Sequence, residues 1–440
     1  MTTTTPTTAR APRPPLPVPF YYGWVMAAVS ALTLAVVFGY RFVFSVTFVP
    51  LLQEFGWDRA TTAGIVSAQV LTYGVLVPVT GVIVDRIGPR VIIPIGVAIA
   101  TGATLLTSQA HELWQFYLLF GPLAALGTAM GGYIPIFVLM NAWFQRKRAT
   151  AFGIALAGNG GSFVMAGIGQ VLIEHVGWRW AMGLMAAGLG GLTLLLTAVL
   201  LRRLPSDVGQ EVDGDPAPAA GAPSPAAARM EVVDTAWAAR RWTARAALAT
   251  VPFWCFFWAN LTLWGIANSM LTQHQAAYVL DAGHTAGAVA AMVGMYGVAL
   301  VAGNLCGFLA DRFGREVVYT GGCLCVFAGL VVLLLATNPE LPWLLLVYAV
   351  LFGFGFGIIS PTATAAIADV FAGPHLGAIN GLVVVSFGLG GSFSPWLAGY
   401  IYDQTHTYLP AFLLALACIA ASVALMWVAR PSRVRAVRRP

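Results

Sequence analysis

Apolar residues in this chain fall in long blocks, and the polar residues gather in the short stretches between them. Each block runs near 20 residues, the length a helix needs to cross about 30 Å of hydrocarbon. The pattern predicts about twelve membrane-spanning helices, over residues 22–50, 60–84, 91–109, 113–140, 149–173, 180–201, 250–279, 286–309, 317–336, 342–367, 376–401 and 408–429. A β-barrel would need short alternating segments, so the pattern argues against one. Composition agrees, with 59% hydrophobic and 9% charged residues in 440, where soluble domains carry roughly a quarter charged.

One polar segment interrupts the series. From Leu204 to about Ala228 the chain reads LPSDVGQEVDGDPAPAAGAPSPAAA, a Pro/Ala-rich linker without core-forming residues. Residues 229–245 then join Arg240, Arg241 and Arg245 to Trp237 and Trp242, a mixture suited to a short helix at the lipid surface or to a plain linker helix. The expected organisation is a disordered tail (1–19), a six-helix bundle (20–203), a linker (204–248), a second six-helix bundle (249–430) and a basic tail (431–440). The first 19 residues lack the layout of a cleaved signal peptide.

The net charge of +6 reports topology rather than a nucleic-acid partner. With the N-terminus in the cytoplasm, Arg86, Arg90, Arg146, Lys147, Arg148, Arg202, Arg203, Arg312, Arg315 and the C-terminal arginines all fall inside. Only Arg59 and Arg179 fall outside. This asymmetry places both termini in the cytoplasm. The five cysteines lie within spans and offer neither a disulfide framework nor metal-ligand spacing. No cofactor is expected.

The two halves echo each other. Span two ends GVIVDRIGPR (Gly81–Arg90) and span eight ends GFLADRFGRE (Gly307–Glu316), the mark of a parallel duplication. Each loop sets an Asp at a helix end beside arginines: Asp85 with Arg86 and Arg90, Asp311 with Arg312 and Arg315. These carboxylates can pair with arginines or cap a neighbouring helix N-terminus. Clusters of this kind can latch one face of the protein, so these six residues are the candidate gate.

The paired loops across twelve spans resemble the major facilitator superfamily. YYGW (Tyr21–Trp24), GGYIPIFVLMNAWFQRKRATAFGIALAGNGG (Gly131–Gly161) and the run from Gly353 to Asp403 are similar to its monocarboxylate-porter and oxalate/formate-exchanger branch. The resemblance covers nearly all of the chain outside tail and linker. It implies an all-α membrane fold of two pseudo-symmetric six-helix bundles that rock about a midplane site, with Tyr133 beside the substrate. It also implies an Asp and an Arg one turn apart in span eight. Registered on Gly307, those positions hold Ala299 and Gly303, so neither residue is present.

Arg41 stands out against this background. It lies inside span one, where a charge costs about 2.5–3.5 kcal/mol, and no Asp or Glu occupies a span interior. Its face carries Ser30, Leu34, Val37, Ser45 and Phe48. A guanidinium so placed can take a substrate carboxylate in bidentate geometry; the alternative is binding to backbone carbonyls or snorkelling outward. In span seven, Asn260, Trp264, Asn268, His274 and Gln275 fall on one face at 3.6 residues per turn. They suit substrate hydrogen bonds or, for His274, an interhelical bond. The candidate substrate site is therefore Arg41, Tyr133, Asn268, His274 and Gln275.

These features together describe a monomeric inner-membrane secondary transporter for a small organic anion, a monocarboxylate first. Membrane lipid and a coupled proton or counter-anion would be its other partners. The alternative is a facilitator-type exporter of amphipathic or cationic compounds, which would need a membrane-embedded acid. An intramembrane enzyme would need a cluster of reactive groups inside the spans, and the sequence has none.

Overall fold

The computed structural model describes residues 15–16, 18–57, 59–214 and 230–437. Most of the 1–19 tail and the Pro/Ala-rich residues 215–229, for which disorder and a plain linker were expected, lie outside the described residues. Ten stretches of the described chain are long and apolar enough to cross a membrane. One, Arg148–Leu200, runs 53 residues, about 80 Å as a single helix. It turns at Gly177, whose φ of +79° is open to glycine, and its second part packs back against the helices preceding it. It therefore makes two passes. Residues 251–281 form a further continuous helix that falls outside the ten, its Asn, Gln and His residues lowering its hydropathy.

The resulting twelve helices are α1 (Gly23–Phe55), α2 (Arg59–Ile87), α3 (Pro89–Thr107), α4 (Leu113–Trp143), α5 (148–176), α6 (178–200), α7 (251–281), α8 (Gly287–Phe313), α9 (Arg315–Leu335), α10 (Trp343–Val370), α11 (Leu376–Thr405) and α12 (Leu409–Ala429). Helices α1–α6 pack mainly on one another, as do α7–α12. The two sets meet along two seams, α2 with α11 and α5 with α8.

Local breaks position particular side chains. In α4 a π-helical turn at Leu119–Leu123 surrounds Pro122, where the missing N–H favours a wider turn. A second break at Gly132 (φ −96°, ψ −138°) starts a new segment on Tyr133. In α7, Leu261–Asn268 is π-helical.

The linker departs from the sequence expectation in two ways. Its first part packs under the first bundle: Pro205 and Val208 are buried, Gln210 Oε1 accepts the Tyr22 N–H at 2.9 Å, and Asp213 is 5% exposed. The Asp213 carboxylate accepts N–H groups of Gln145 (3.2 Å), Arg146 (2.8 Å) and Lys147 (3.3 Å), just ahead of α5. Asp213 adopts φ +63°, a conformation costly to a residue with a Cβ, and these bonds offset that cost. Beyond it, Trp237 donates to the Val370 carbonyl at 2.9 Å, and the buried Trp242 ring packs edge-on against Phe371. The tryptophans thus turn inward onto the end of α10 instead of toward lipid. The strands β1 (Met230–Val232) and β2 (Arg435–Val437) pair antiparallel, joining linker to C-terminal tail.

At the end of the molecule opposite the paired loops, Glu54 lies beyond the apolar part of α1. It accepts from the Trp178 indole at 2.6 Å and from Arg179 at 2.9 Å, and Arg179 also donates to the Ser108 and Ala110 carbonyls. Burial pushes the Glu54 carboxyl up, but the bonds from Trp178 and Arg179 outweigh it and hold the pKa below the usual range. A depressed carboxylate stabilises the fold above its unfolded pKa and loses that contribution as pH falls through the folded value. Glu54→Gln should therefore destabilise the fold slightly at pH 7, by roughly 1 kcal/mol or less at this half-exposed site, and so lower the melting temperature. Melting curves at stepped pH should show the deficit shrinking below pH about 4; a deficit independent of pH would contradict the clamp.

Candidate functional site

At the basic end of the molecule, the N-terminus of α5 is gripped by the other bundle. Asp311 Oδ1 accepts the Ala149 N–H at 3.1 Å, while Oδ2 accepts the Thr150 N–H at 2.8 Å and its hydroxyl at 2.7 Å. A carboxylate on free helix N–H groups also meets the positive end of the helix dipole. Asp311 in turn takes Arg315 at 2.6 Å. Asp369, at the end of α10, lies between Arg148 at 2.6 Å and Arg315 at 2.9 Å, with all three side chains at most 5% exposed. The Arg148–Asp369 pair joins the first bundle directly to the second.

The second seam repeats the design without the ion pairs. Asp85 accepts the N–H groups of Gly377 at 2.9 Å and Ala378 at 2.8 Å, the start of α11. Counted from the capped N–H groups, Leu376 stands where Arg148 does and Asn141 where Asp369 does, while Pro89 follows Asp85 at the spacing of Arg315 from Asp311; His375 lies within electrostatic reach of Asp85. Backbones touch here: a methyl on Gly377 would lie 2.6 Å from Asp85 Oδ1, and one on Gly81 would lie 2.5 Å from the Gly377 carbonyl oxygen. Of the six expected gate residues, Asp85, Asp311 and Arg315 hold the seams. Arg86, Arg90 and Arg312 are exposed, the last lying against Phe313. Arg148, Asp369 and Asp213 complete the arrangement and were not among the expected residues.

Deeper in the membrane, Arg41 is partly buried in the middle of α1 and lies within electrostatic reach of Tyr73 on α2. Tyr73 in turn interacts with Tyr133. The Tyr133 hydroxyl forms a 2.8 Å hydrogen bond with Thr364 on α10, across the boundary between bundles. Asn380 of α11 lies close by, fully buried, but its amide atoms fall short of hydrogen-bond geometry. Arg41 and Tyr133 thus belong to one neighbourhood, linked by a tyrosine that the sequence reading did not single out.

The span-seven stripe is not kept as one face. The π-helical stretch has i→i+5 bonds and a wider turn, so the residues after it rotate away from the 3.6-residue register. Asn260 donates to Ser386 on α11 at 2.8 Å. His274 contacts the Pro395 carbonyl at 2.9 Å and the Tyr408 hydroxyl at 3.3 Å. Gln275 is buried and accepts from Tyr348 on α10 at 2.6 Å. His274 and Gln275 are therefore tied into the second bundle on different sides and do not join Arg41. Asn268 differs, since its Oδ1 is buried without a partner.

The α8 positions where the resemblance implies Asp and Arg face elsewhere too. A Cβ on Gly303 would collide with the Phe354 carbonyl of α10, and Ala299 is buried against Gly353. The side of α8 turned to the first bundle carries Gly297, Val301, Asn304 and Gly307, which meet Phe163, Gly160, Gly153 and Ala149. None of these is charged.

A family model described as Major Facilitator Superfamily matches residues 30–363 and 301–440. Among similar proteins, Monocarboxylate transporter 11 of Homo sapiens is 28% identical over 93% of this chain and 83% of its own length. Monocarboxylate transporter 12-B of Danio rerio is 27% identical, covering 93% of this chain and 87% of itself. Monocarboxylate transporter 13 of Bos taurus is 26% identical, with 91% and 87% covered.

The ion network has a direct consequence. Asp369→Asn leaves Arg148 and Arg315 buried beside a neutral group, and breaking a buried pair costs about 3–5 kcal/mol. The melting temperature should fall clearly, and adding Arg148→Gln should recover part of the loss. An unchanged melting temperature in the single variant would show that the network does not stabilise this state.

Proposed function

The chain belongs to the Major Facilitator Superfamily, and from that membership we propose that it carries a small organic anion, a monocarboxylate in our reading, across the inner membrane by alternating access. Arg41 supports this most directly. It is a cation within the apolar stretch of α1, in one neighbourhood with Tyr73 and with Tyr133, whose hydroxyl bonds across the boundary between the bundles. One guanidinium matches one carboxylate in charge and in fork geometry. A phenol beside it would donate to the same carboxylate while its ring packs on a short aliphatic body. Asn268 Oδ1, buried without a donor, would accept from a substrate hydroxyl. The names of the similar proteins agree with this substrate class.

Span eight shapes the coupling we assign. With glycine and alanine in place of the Arg and Asp, and every carboxylate of the spanning helices lying in a terminal turn, the carrier would exchange or passively conduct anions instead of using a mid-span carboxylate to accept a proton. In this reading the basic end faces the cytoplasm and is closed in the state described. The Asp85 and Asp311 contacts would part together when it opens.

The test is thermal stability of the purified protein against a panel of carboxylates with neutral and cationic controls. A ligand at 100 times its dissociation constant stabilises the folded state by roughly 2.7 kcal/mol. Short monocarboxylates should stabilise the parent protein, and Arg41→Ala should lose that response while eluting as a folded monomer. Stabilisation by amines alone, or carboxylate stabilisation that survives in Arg41→Ala, would overturn the reading.

A further inference from the structure

The C-terminal tail runs back under the charged network. Pro431 is buried, the Ser432 N–H donates to Glu316 at 2.8 Å, and the Val434 carbonyl accepts the Val233 N–H at 3.0 Å. Strand β2 then pairs with β1. This path brings the Arg435 side chain within electrostatic reach of both Asp369 and Arg148, while Arg430 and Arg433 stay exposed. The Arg435 Nε is buried and has no hydrogen-bond partner.

Three guanidiniums therefore act on the Asp369 carboxylate, two of them bonded to it. Arg148 and Arg315 bond to it directly, and Arg435 waits beside them. Burial, and after it the like charge of Arg148, weigh against the charged form of Arg435, with Asp369 acting the other way. The three cations differ in attachment. Arg148 opens α5 of the first bundle, whereas Arg315 and Asp369 sit on α9 and α10 of the second and Arg435 lies in the tail that follows α12 and pairs with the linker strand. Separation of the bundles at this end must take Arg148 away and leave a buried carboxylate with one of its two bonded partners.

We propose that Arg435 is the replacement cation for Asp369: when Arg148 withdraws, Arg435 moves onto the vacated carboxylate oxygen and stabilises the open form of the basic face. The pairing of β1 with β2 keeps the side chain in reach throughout. The exchange also explains why a guanidinium is held unbonded against its like-charged neighbour in the closed form. Removing Arg435 then favours closure twice over, by relieving its repulsion with Arg148 and by withholding the substitute. A tail that merely strapped the face shut would have the opposite sign.

The proposal rests on the reading that the bundles part at this end. Spin labels at Gln145→Cys and Pro374→Cys, exposed positions of the α4–α5 and α10–α11 loops, would report the gap between the bundles by pulsed dipolar spectroscopy in a background lacking the five native cysteines. The parent protein should show a short and a long distance. Arg435→Gln should deplete the long population by roughly tenfold, the scale of one charge-assisted hydrogen bond, and Arg435→Lys should largely restore it. An unchanged or enlarged long population in Arg435→Gln overturns the proposal alone. A parent that never shows the long distance removes the alternating-access reading as well.

Discussion

A single carboxylate, Asp369, shared between Arg148 of one bundle and Arg315 of the other, is the contact on which the described state depends. Burying these groups costs several kcal/mol per ion, and only close, well-directed pairing returns it. The 2.6 and 2.9 Å contacts supply that pairing. Asp311 extends the arrangement by bonding Arg315 and two N–H groups of α5. Such a network is stable when complete and costly when half made. That property suits a joint with two discrete positions better than one that gives gradually.

The two seams divide this work unequally. Both use an aspartate at a helix end to cap a helix start across the boundary; among the described residues, buried ion pairs join the bundles beside the α5–α8 seam, through Arg148 of α5 and Asp369 of α10. The α2–α11 seam relies on backbone contact at Gly81 and Gly377 and on the Asp85 cap, with His375 the titratable group near that carboxylate. Asp213 adds a grip that belongs to neither bundle's core. By bonding three consecutive N–H groups ahead of α5, it ties the linker to the helix end that carries Arg148. Further in, Arg41, Tyr73 and Tyr133 put a positive, hydrogen-bonding centre near the same boundary. Opening the seams would change what that centre faces.

Much of this was legible in the sequence, for identifiable reasons. Spans of about 20 apolar residues leave few alternatives to membrane helices, and the repeated GVIVDRIGPR and GFLADRFGRE loops pointed to the duplication and left Asp85 and Asp311 either to pair with arginines or to cap a helix start. What stayed hidden depends on long-range pairing. Asp369 reads as one more acid at a helix end until α5 brings Arg148 to it, and Asp213 sits in a segment whose composition suggests nothing but linker. The grouping of Asn260, Asn268, His274 and Gln275 assumed 3.6 residues per turn. The π-helix at Leu261–Asn268 changed that register, and side-chain composition does not specify it. In α8, glycine at position 303 was visible, but only its packing against α10 shows that the space for an arginine is filled.

In the proposed function a guanidinium inside span one carries carboxylates, with no acidic residue in the interior of a span. Counterflow in proteoliposomes measures this most directly: vesicles preloaded with an unlabelled monocarboxylate, equal pH on both sides, and a trace of labelled substrate outside. The account predicts saturable labelled uptake that is accelerated by the internal anion, competed by other monocarboxylates, and indifferent to the matching amides and amines. Uptake that requires an imposed proton gradient, or that transports a labelled organic cation in place of the anion, would contradict it.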